Sequence, residues 1–236
     1  MPIVSLKNIS KIYERPRTAA VNDISIEVVS GEFVCIVGPS GEGKSTLLKI
    51  IAGLEEPTHG ETHRPNKISM VFQSAALFPW LTVFENIAIG LRAQKKQESE
   101  IDTIVHKHIT MMKLDGLVHR LPRELSGGQC QRVGIARALA VDPDVLLLDE
   151  PFSALDPRTT AELHNDLIDI WRDTGKTVIM VSHMIEEAVS LATRIILMKR
   201  GAVAHEYQIT FQRPRREQAV AFMHEVEQIR KEFFTD

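Results

Sequence analysis

The sequence predicts an α/β fold with a parallel sheet at its core, an antiparallel layer at one edge and an inserted helical lobe. Short apolar runs typical of strands alternate with segments of helical periodicity, as in a parallel sheet with helical crossovers. The first strand-like runs lie too close together for such crossovers, so they predict a small antiparallel layer. The segment from Leu77 to Ala140 lacks a good strand-like run and is mostly helical in pattern, which predicts the inserted lobe.

The predicted elements follow one another in chain order. The first are strands at Ile3–Leu6, Val21–Val29 and Phe33–Val37, a helix at Lys44–Leu54 and a strand at Ile68–Phe72. After the helical segment come a strand at Val145–Leu148, a helix near Pro157–Trp171, a strand at Thr177–Val181, a helix at Ile185–Leu191 and strands at Arg194–Met198 and Ala202–Glu206. A charged helix from about Arg216 to Phe233 is predicted at the end.

Length and composition limit the classes of protein that remain possible. The chain has 236 residues, of which 44% are apolar and 25% charged, with a formal net charge of -3. These values are ordinary for a globular domain, and a near-neutral chain argues against a nucleic-acid partner bound through bulk positive charge. No stretch reaches the ~18 apolar residues of a membrane span, and the N-terminus has no signal-peptide pattern. If the protein serves a membrane, other chains must therefore supply the spanning helices.

The cysteine and histidine pattern indicates neither a disulfide framework nor a metal site. Cys35 and Cys130 are far apart in the sequence, so we expect two free thiols in a reducing cytosol. His59 and His63 are four residues apart, but Gly60 and nearby prolines predict a loop at this position.

The segment GPSGEGKS fits the spacing of a phosphate-binding loop, G-x-x-x-x-G-K-S. It has the required context, because the apolar run FVCIV precedes it and the helical segment TLLKIIAGL follows. The glycines let successive N–H groups point at phosphate, and the helix N-terminus adds its dipole. We expect Lys44 to reach the outer phosphates and the Ser45 hydroxyl to bind Mg²⁺. The predicted nucleotide contacts are Gly38, Pro39, Ser40, Gly41, Gly43, Lys44, Ser45 and Thr46.

Two consecutive carboxylates follow the apolar run Val145–Leu148. Ligands of open α/β sheets bind at the carboxyl ends of strands, which is where Asp149 and Glu150 are expected. We predict that Asp149 belongs to the Mg²⁺ shell. Glu150, one residue further, faces a different side and suits a general base that activates the attacking water.

The segment LSGGQ, Leu125–Gln129, resembles the signature of the ATP-binding cassette family. Ser126 is typical of a helix N-cap, and Gly127 and Gly128 allow a close approach, so Ser126, Gly127, Gly128 and Gln129 are predicted nucleotide contacts. One nucleotide does not need two such helix starts from the same chain, so we infer that this one serves a nucleotide held by a partner chain. The resemblance implies a head-to-tail dimer in which each signature caps the other subunit's ATP.

The resemblance also implies the fold and the domain limits. The expected fold is a P-loop NTPase cassette with a RecA-like core, an antiparallel β subdomain and a helical subdomain inserted at about residues 77–140. The cassette is expected to span residues 1–207, with a short helical tail at 208–236.

Further residues match the family's motifs in the family's order. Tyr13 matches the aromatic residue that stacks on adenine, and Gln73 the glutamine that touches Mg²⁺ and water and senses the membrane partner. Asp156 lies in the SALD loop that crosses the dimer interface, and His183 matches the histidine that contacts the γ-phosphate. With Lys44 and Glu150, the catalytic residues are thus expected to include Gln73 and His183. Glu42 departs from the family, in which small or neutral residues are usual in this loop. A carboxylate near the phosphates repels them, so we expect a lower nucleotide affinity without the loss of a catalytic group.

The segment after Gln73 suggests which transporters are most similar. The run PWLTV followed by EN, and the tail residues Arg213–Arg216, look like ATPases of the nitrate/sulfonate/taurine importer group. Phe78, Pro79, Trp80 and Phe84 form an apolar cluster that either receives a short helix of a partner or packs between lobes; both can hold.

The sequence therefore predicts the ATPase subunit of a transporter that uses ATP and Mg²⁺ at the cytoplasmic face of the cell membrane. Its expected partners are a second identical or homologous subunit, integral membrane permeases and a periplasmic or extracellular substrate-binding protein. Alternatives are the ATPase of a lipid or other exporter, a soluble ATPase of this family that acts on DNA or ribosomes, and a scaffold that binds nucleotide without hydrolysis. The single cassette and the presence of both Glu150 and His183 argue against the last two.

Overall fold

The computed structural model describes residues 1–14, 17–213 and 215–234. The chain divides into two compact units, the first made of Met1–Asn66 and Gly175–Asp236 and the second of Lys67–Thr174. The strands are β1 (Pro2–Glu14), β2 (Arg17–Val29), β3 (Phe33–Val37), β4 (His59–His63), β5 (Ile68–Val71), β6 (Val145–Asp149), β7 (Thr177–Ser182), β8 (Arg194–Lys199) and β9 (Ala202–Gln208). The helices are α1 (Lys44–Ala52), α2 (Val83–Ala93), α3 (Glu98–Met111), α4 (Gly127–Ala140), α5 (Pro157–Thr174), α6 (Ile185–Leu191) and α7 (Ala219–Phe234), with short 3₁₀ helices at Pro122–Glu124 and Arg215–Glu217.

The first unit contains the antiparallel layer, in the strand order β2-β1-β4. Leu6 pairs with Ile26 and Ile9 with Ile24 in this layer, and all four side chains are buried. The predicted antiparallel layer is thereby confirmed. β1 continues to Glu14, past the predicted end at Leu6, because residues between Ile9 and Glu14 still pair with β2 through their backbones.

The loop predicted around His59 and His63 is wrong, because these residues form β4. β4 pairs antiparallel with β1, and the register shifts between Lys7 and Ser10. Gly60 permits this irregular pairing: its φ is 95°, and a Cβ there would lie 2.4 Å from the Asn8 carbonyl oxygen. A glycine that signals a turn in the sequence therefore accommodates a bulge in a strand.

The parallel strands of the first unit are β7, β3 and β8, in that order, with β9 antiparallel at the edge. Every residue of β3 and β7 is buried, as expected for parallel strands covered on both faces. Val37 pairs with Ser182 on one side and Leu197 on the other, so the carboxyl ends of the three strands lie together. Burial raises the pKa of the Cys35 thiol in β3 well above its ordinary value.

A buried arginine attaches the C-terminal tail to the first unit. The Arg215 side chain donates to the carbonyl oxygens of Val189 (2.9 Å) and Ile209 (3.0 Å) and also to that of Ala192. Burial lowers the pKa of Arg215 to about 10. The final helix begins at Ala219, later than predicted, because Arg215–Glu217 forms a 3₁₀ turn; Pro214, part of the predicted tail motif, lies outside the described residues.

The second unit combines a parallel strand pair with helices. β5 and β6 are parallel, with Val71 opposite Leu148. The helices α2, α3 and α4 confirm the helical character predicted between Leu77 and Ala140. Thr82 starts α2 with a capping box, because its hydroxyl accepts from the Glu85 N–H and the Glu85 carboxylate accepts from the Thr82 N–H.

Within the part of the chain that the structure describes, no helix is both long enough and apolar enough to cross a membrane.

Candidate functional site

The phosphate-binding loop follows β3 and is shaped by close backbone contacts. A Cβ on Gly38 would lie 2.4 Å from the Met198 carbonyl oxygen in β8. A Cβ on Gly43 would lie 1.8 Å from the Ala20 carbonyl oxygen in β2, and the φ of Gly43 is 81°. Only glycine fits at these two places without displacing backbone. The loop therefore rests on β8 and β2, while Ser40 and Gly41 at its tip are exposed.

Lys44 begins α1 and its side chain folds into the loop. The residue is 5% exposed, and its Nζ donates to the carbonyl oxygens of Gly38 (2.8 Å) and Pro39 (2.7 Å). Ser45 and Thr46 follow in the first turn of α1 and are half-buried. The amine thus lies at the centre of the loop, as a phosphate-binding lysine requires.

Tyr13 lies beside the first turn of α1. Its hydroxyl is 3.5 Å from Thr46 Oγ1, and Lys11 Nζ is 5.4 Å from its ring centroid. Burial and a hydrogen bond with Glu55 raise the pKa of Tyr13, although the residue is 37% exposed. The structure thus brings the predicted adenine-stacking ring next to the phosphate loop, and the stacking itself stays a prediction.

His183 follows β7 at the same edge of the first unit. Because Ser182 pairs with Val37, the residues that come next in the chain, His183 and Gly38, start from neighbouring strand ends. His183 is exposed to solvent. Its predicted position near the phosphate loop is therefore consistent with the sheet register.

Glu42 has a partner that the sequence did not reveal. Its Oε2 accepts a hydrogen bond of 3.2 Å from the N–H of Gly201, in the turn between β8 and β9. The carboxylate is half-buried, and the turn also pairs with β2, since the Asn22 N–H donates to the Gly201 carbonyl oxygen at 2.7 Å. Glu42 thus ties the phosphate loop to this turn.

In the second unit, Asp149, Glu150 and Gln73 lie at the carboxyl ends of the paired strands β6 and β5. Gln73 Nε2 donates to Ser153 Oγ at 3.0 Å, and Ser153 Oγ donates to the Glu150 carbonyl oxygen at 3.0 Å. Asp149 is buried and Glu150 is half-buried. Glu150 has a φ of 44°, a left-handed conformation that non-glycine residues adopt mainly where function or packing imposes it.

The signature segment opens α4 as a capped helix start. The Gln129 N–H donates to Ser126 Oγ at 3.2 Å, and Gln129 Oε1 accepts from the Ser126 N–H at 2.8 Å. Ser126 and Gly127 are exposed, so the helix start is accessible from outside the unit. Gly128 is buried, and a Cβ there would lie 2.4 Å from Thr159 Cγ2 of α5.

Asp156, predicted at a dimer interface, caps α5. Its carboxylate accepts from the N–H groups of Arg158 (3.1 Å) and Thr159 (3.0 Å) and from the Thr159 hydroxyl (2.6 Å). The hydrogen bonds from Thr159 lower the pKa of Asp156. The residue is exposed, so its capping role leaves it accessible to a partner.

The aromatic residues near α2 are divided between two contacts. The rings of Phe78 and Trp80 are 5.8 Å apart, and Trp80 is 71% exposed. The Phe84 ring lies 5.8 Å from that of His106 in α3, at the wall of a cavity of about 910 Å³.

No role is predicted from the sequence for Arg137 or Asp166, whose side chains make contacts between elements of the second unit. Arg137 of α4 donates to the carbonyl oxygens of Ala75 and Ala76, and Asp166 of α5 forms a buried ion pair with Arg132 of α4. A signal for Arg137 exists, since it is a charge in a stretch of small and apolar residues, IARALA. Its partners lie about sixty positions away and are not readable from the sequence.

The two units carry donors that suit ATP and Mg²⁺. In the first, the glycine-lined cradle and the Lys44 amine suit phosphate oxygens, and the Ser45 hydroxyl is an oxygen ligand. In the second, Asp149 and Gln73 offer a carboxylate and an amide oxygen, both of them donors that Mg²⁺ accepts. The residues present therefore fit the predicted groups.

Comparisons with known proteins find similarity over most of the chain. A model of the family described as ABC transporter matches residues 21–153. The bicarbonate transport ATP-binding protein CmpD of Synechococcus elongatus is 42% identical over 229 residues, which cover 91% of this chain and 82% of that protein. The nitrate import ATP-binding protein NrtD of the same organism is 40% identical over 228 residues, 90% of this chain and 83% of that one.

A solved structure is similar in fold as well as in sequence. The dimeric, post-hydrolysis state of the ATP-binding cassette MJ0796, bound to ADP and Pi, superposes with a TM-score of 0.81 at 36% identity. The match covers 89% of this chain and 100% of that chain, so it extends well beyond the phosphate loop.

Proposed function

Since the chain belongs to the ABC transporter family and is an ATP-binding subunit with that family's ATPase activity, we propose that it drives import of a small anion. Hydrolysis takes place in a head-to-tail dimer of this subunit, or of this subunit with a homologous one. Separate permease subunits carry the anion across the membrane. A periplasmic or extracellular binding protein delivers it, and the ATPase subunits lie at the cytoplasmic face.

The observation that carries the dimer is the presence of two anion-binding helix starts in one chain. The first is the phosphate loop before α1, which the Lys44 amine completes. The second is the exposed, serine-capped start of α4 at Ser126. A single triphosphate needs one such cradle, so the second one serves the ATP of the partner subunit.

The residues then have separate tasks. Glu150 accepts a proton from water while the water oxygen attacks the γ-phosphorus, and the bond to the bridging oxygen breaks to release ADP. Lys44 stabilises charge on the transferred phosphoryl group, and His183 contacts the γ-phosphate. Ser45, Gln73 and Asp149 would hold Mg²⁺, which would supply positive charge to the phosphate oxygens.

The nature of the substrate is supported by the relatives. CmpD is named for bicarbonate transport and NrtD for nitrate import, and both ions are small inorganic anions. Both proteins match about nine tenths of this chain. Because the ATPase subunit does not bind the transported ion, its similarity to these relatives supports only the chemical class of the substrate and the direction of transport.

The exposed pair of Phe78 and Trp80 is the proposed docking point for the permease. A tryptophan that is 71% exposed beside a second aromatic ring is unusual on the surface of a subunit that acts alone. The pair follows Gln73 by a few residues, so a permease segment seated here is close in the chain to the proposed Mg²⁺ ligand.

A subunit-mixing experiment tests the dimer. Lys44→Ala inactivates the phosphate loop, and Gly127→Asp places a negative charge at the signature; its new Cβ meets Leu155 Cδ2 at an ordinary 3.6 Å, so we expect it to fold. In a head-to-tail dimer the two inactive variants, once mixed, form one intact site from Lys44 of one chain and the signature of the other. We expect ATPase activity to return. No recovery after verified mixing would contradict the proposal.

The assignment of Glu150 is tested separately. Glu150→Gln keeps the size of the side chain and removes the proton acceptor, so ATP should bind normally while turnover falls by about 10²–10⁴-fold. Binding is measured with a fluorescent nucleotide and turnover as released phosphate. Undiminished hydrolysis would exclude Glu150 as the base.

A further inference from the structure

The segment that follows Gln73 contains two consecutive residues in a strained conformation. Ala75 and Ala76 have φ values of 56° and 43°, in the left-handed region that non-glycine residues disfavour. Ala75 is buried while Ala76 is exposed. Two adjacent left-handed alanines persist only when their surroundings impose that backbone conformation.

Arg137, on the helix that begins at the signature, supplies the required contacts. Its Nη2 donates to the Ala75 carbonyl oxygen at 2.7 Å and its Nη1 to the Ala76 carbonyl oxygen at 2.9 Å. Its guanidinium carbon lies 5.9 Å from the centroid of the Phe78 ring. One planar group thus holds both strained carbonyls and approaches the aromatic residue that follows them.

Helix α4 also packs against the Ala75–Ala76 segment at Gly134, about one helical turn before Arg137. A Cβ on Gly134 would lie 3.1 Å from Ala75 Cβ and 3.4 Å from Ala75 Cα, so a larger residue at this position would have to push the Ala75 backbone away by a few tenths of an ångström. Burial lowers the pKa of Arg137, in agreement with a side chain withdrawn from solvent by these contacts. The turn is therefore fitted to α4 both by hydrogen bonds and by steric contact.

We propose that Arg137 is a positioning residue that clamps the strained Ala75–Ala76 turn to α4. The clamp makes the turn move with the signature helix, and it sets the position of Gln73 on one side and of Phe78 on the other. The inference rests on the proposed function, in which Gln73 is an Mg²⁺ ligand and Phe78 belongs to the permease docking point. It adds a mechanical link between the signature and these two groups within a single subunit.

The first test replaces the arginine and follows the metal dependence of hydrolysis. In Arg137→Ala, kcat should fall at least about tenfold and the half-saturating Mg²⁺ concentration should rise, since two charge-assisted hydrogen bonds are lost. ATP affinity measured without Mg²⁺ should be unchanged, because the phosphate loop is untouched. Arg137→Lys, which cannot hold both carbonyls with one planar group, should be intermediate. Arg123→Ala removes an exposed arginine and serves as the control.

The second test relieves the strain. In the double variant Ala75→Gly, Ala76→Gly, the left-handed conformation has no steric cost, so the turn depends less on the clamp. The same pair combined with Arg137→Ala should recover a large part of the lost kcat. Because relief of this strain can itself add stability, the Tm of each variant is measured as well, and an arginine that only stabilised the fold would let kcat recover only in step with Tm.

The outcomes separate the inference from the function on which it rests. Gln73→Ala is measured in parallel, and a shift of its Mg²⁺ dependence supports the assignment of Gln73. If Gln73→Ala shows the shift while Arg137→Ala keeps wild-type kcat and Mg²⁺ dependence, the clamp is wrong and the function stands. If Arg137→Ala also loses Mg²⁺-free ATP binding, or the glycine pair gives no rescue, the arginine acts through general stability and the inference is overturned.

Discussion

Removal of the Asp166 carboxylate should destabilise the second unit severely. Asp166 of α5 pairs with Arg132 of α4, and their side chains are 7% and 10% exposed. In Asp166→Ala the Arg132 guanidinium stays buried and keeps its hydrogen bond of 3.2 Å to the Met112 carbonyl oxygen, but it loses its counter-charge. Breaking a buried ion pair by removing one partner costs about 3–5 kcal/mol. The remaining bond to Met112 favours the lower end of this range.

The expected change in melting temperature follows from that energy. For a chain of this length, each kcal/mol shifts Tm by about 2–4 °C. A loss of about 3 kcal/mol therefore lowers Tm by about 6–12 °C. Thermal unfolding followed by the circular-dichroism signal of the helices measures the shift.

Two matched variants decide whether burial is the cause. Lys113 also contacts Asp166 at 2.7 Å, but its side chain is 68% exposed, so Lys113→Ala should cost only about 0–1 kcal/mol. The double variant Arg132→Met, Asp166→Leu removes both charges and should recover most of the stability, because no unpaired charge remains buried. If Asp166→Ala is as mild as Lys113→Ala, or the double variant is as unstable as the single one, the reasoning is refuted.

Three further predictions concern other parts of the chain. Glu42→Gln removes a charge but keeps an acceptor for the Gly201 N–H, so the KM for ATP should fall by up to about fivefold, whereas Glu42→Ala, which loses the acceptor too, should gain less in steady-state assays. Arg215→Met leaves buried carbonyl oxygens unsatisfied, at about 1–3 kcal/mol each, and should lower Tm far more than Arg216→Ala at an exposed position. Burial raises the pKa of Cys130, so its alkylation by iodoacetamide should be slow at neutral pH and keep accelerating above pH ~8.5, the ordinary thiol value; a plateau below that pH would contradict the assignment.

The parts of the site that were readable from the sequence are local in the chain. The spacing from Gly38 to Ser45 specifies a loop and a helix start, and the pattern at Ser126 specifies a capped helix. In both cases the hydrogen-bond partners lie within six residues of one another, so the chain order already implies the geometry. The same holds for Asp149 and Glu150, which follow directly from a strand predicted by its apolar run.

Other parts depended on residues that are distant in sequence. Gly60 and the nearby prolines predict a loop at His59–His63, and only pairing with β1 makes this segment the strand β4. The link from Glu42 to Gly201 spans 159 positions, and the bond from Arg137 to Ala76 spans 61. A sequence shows that such residues can donate or accept, but not which partner the packing brings within reach.

The sequence by itself determined the alternation of strands and helices, the two anion-binding helix starts and the chemistry of the residues beside them, because these features arise from interactions between near neighbours in the chain. Only the tertiary structure decided that Arg137 holds the turn after Gln73 and that Asp166 pairs with Arg132. The physical reason is that helix packing sets the distance between groups far apart in sequence, and a hydrogen bond or a buried ion pair forms only at short range.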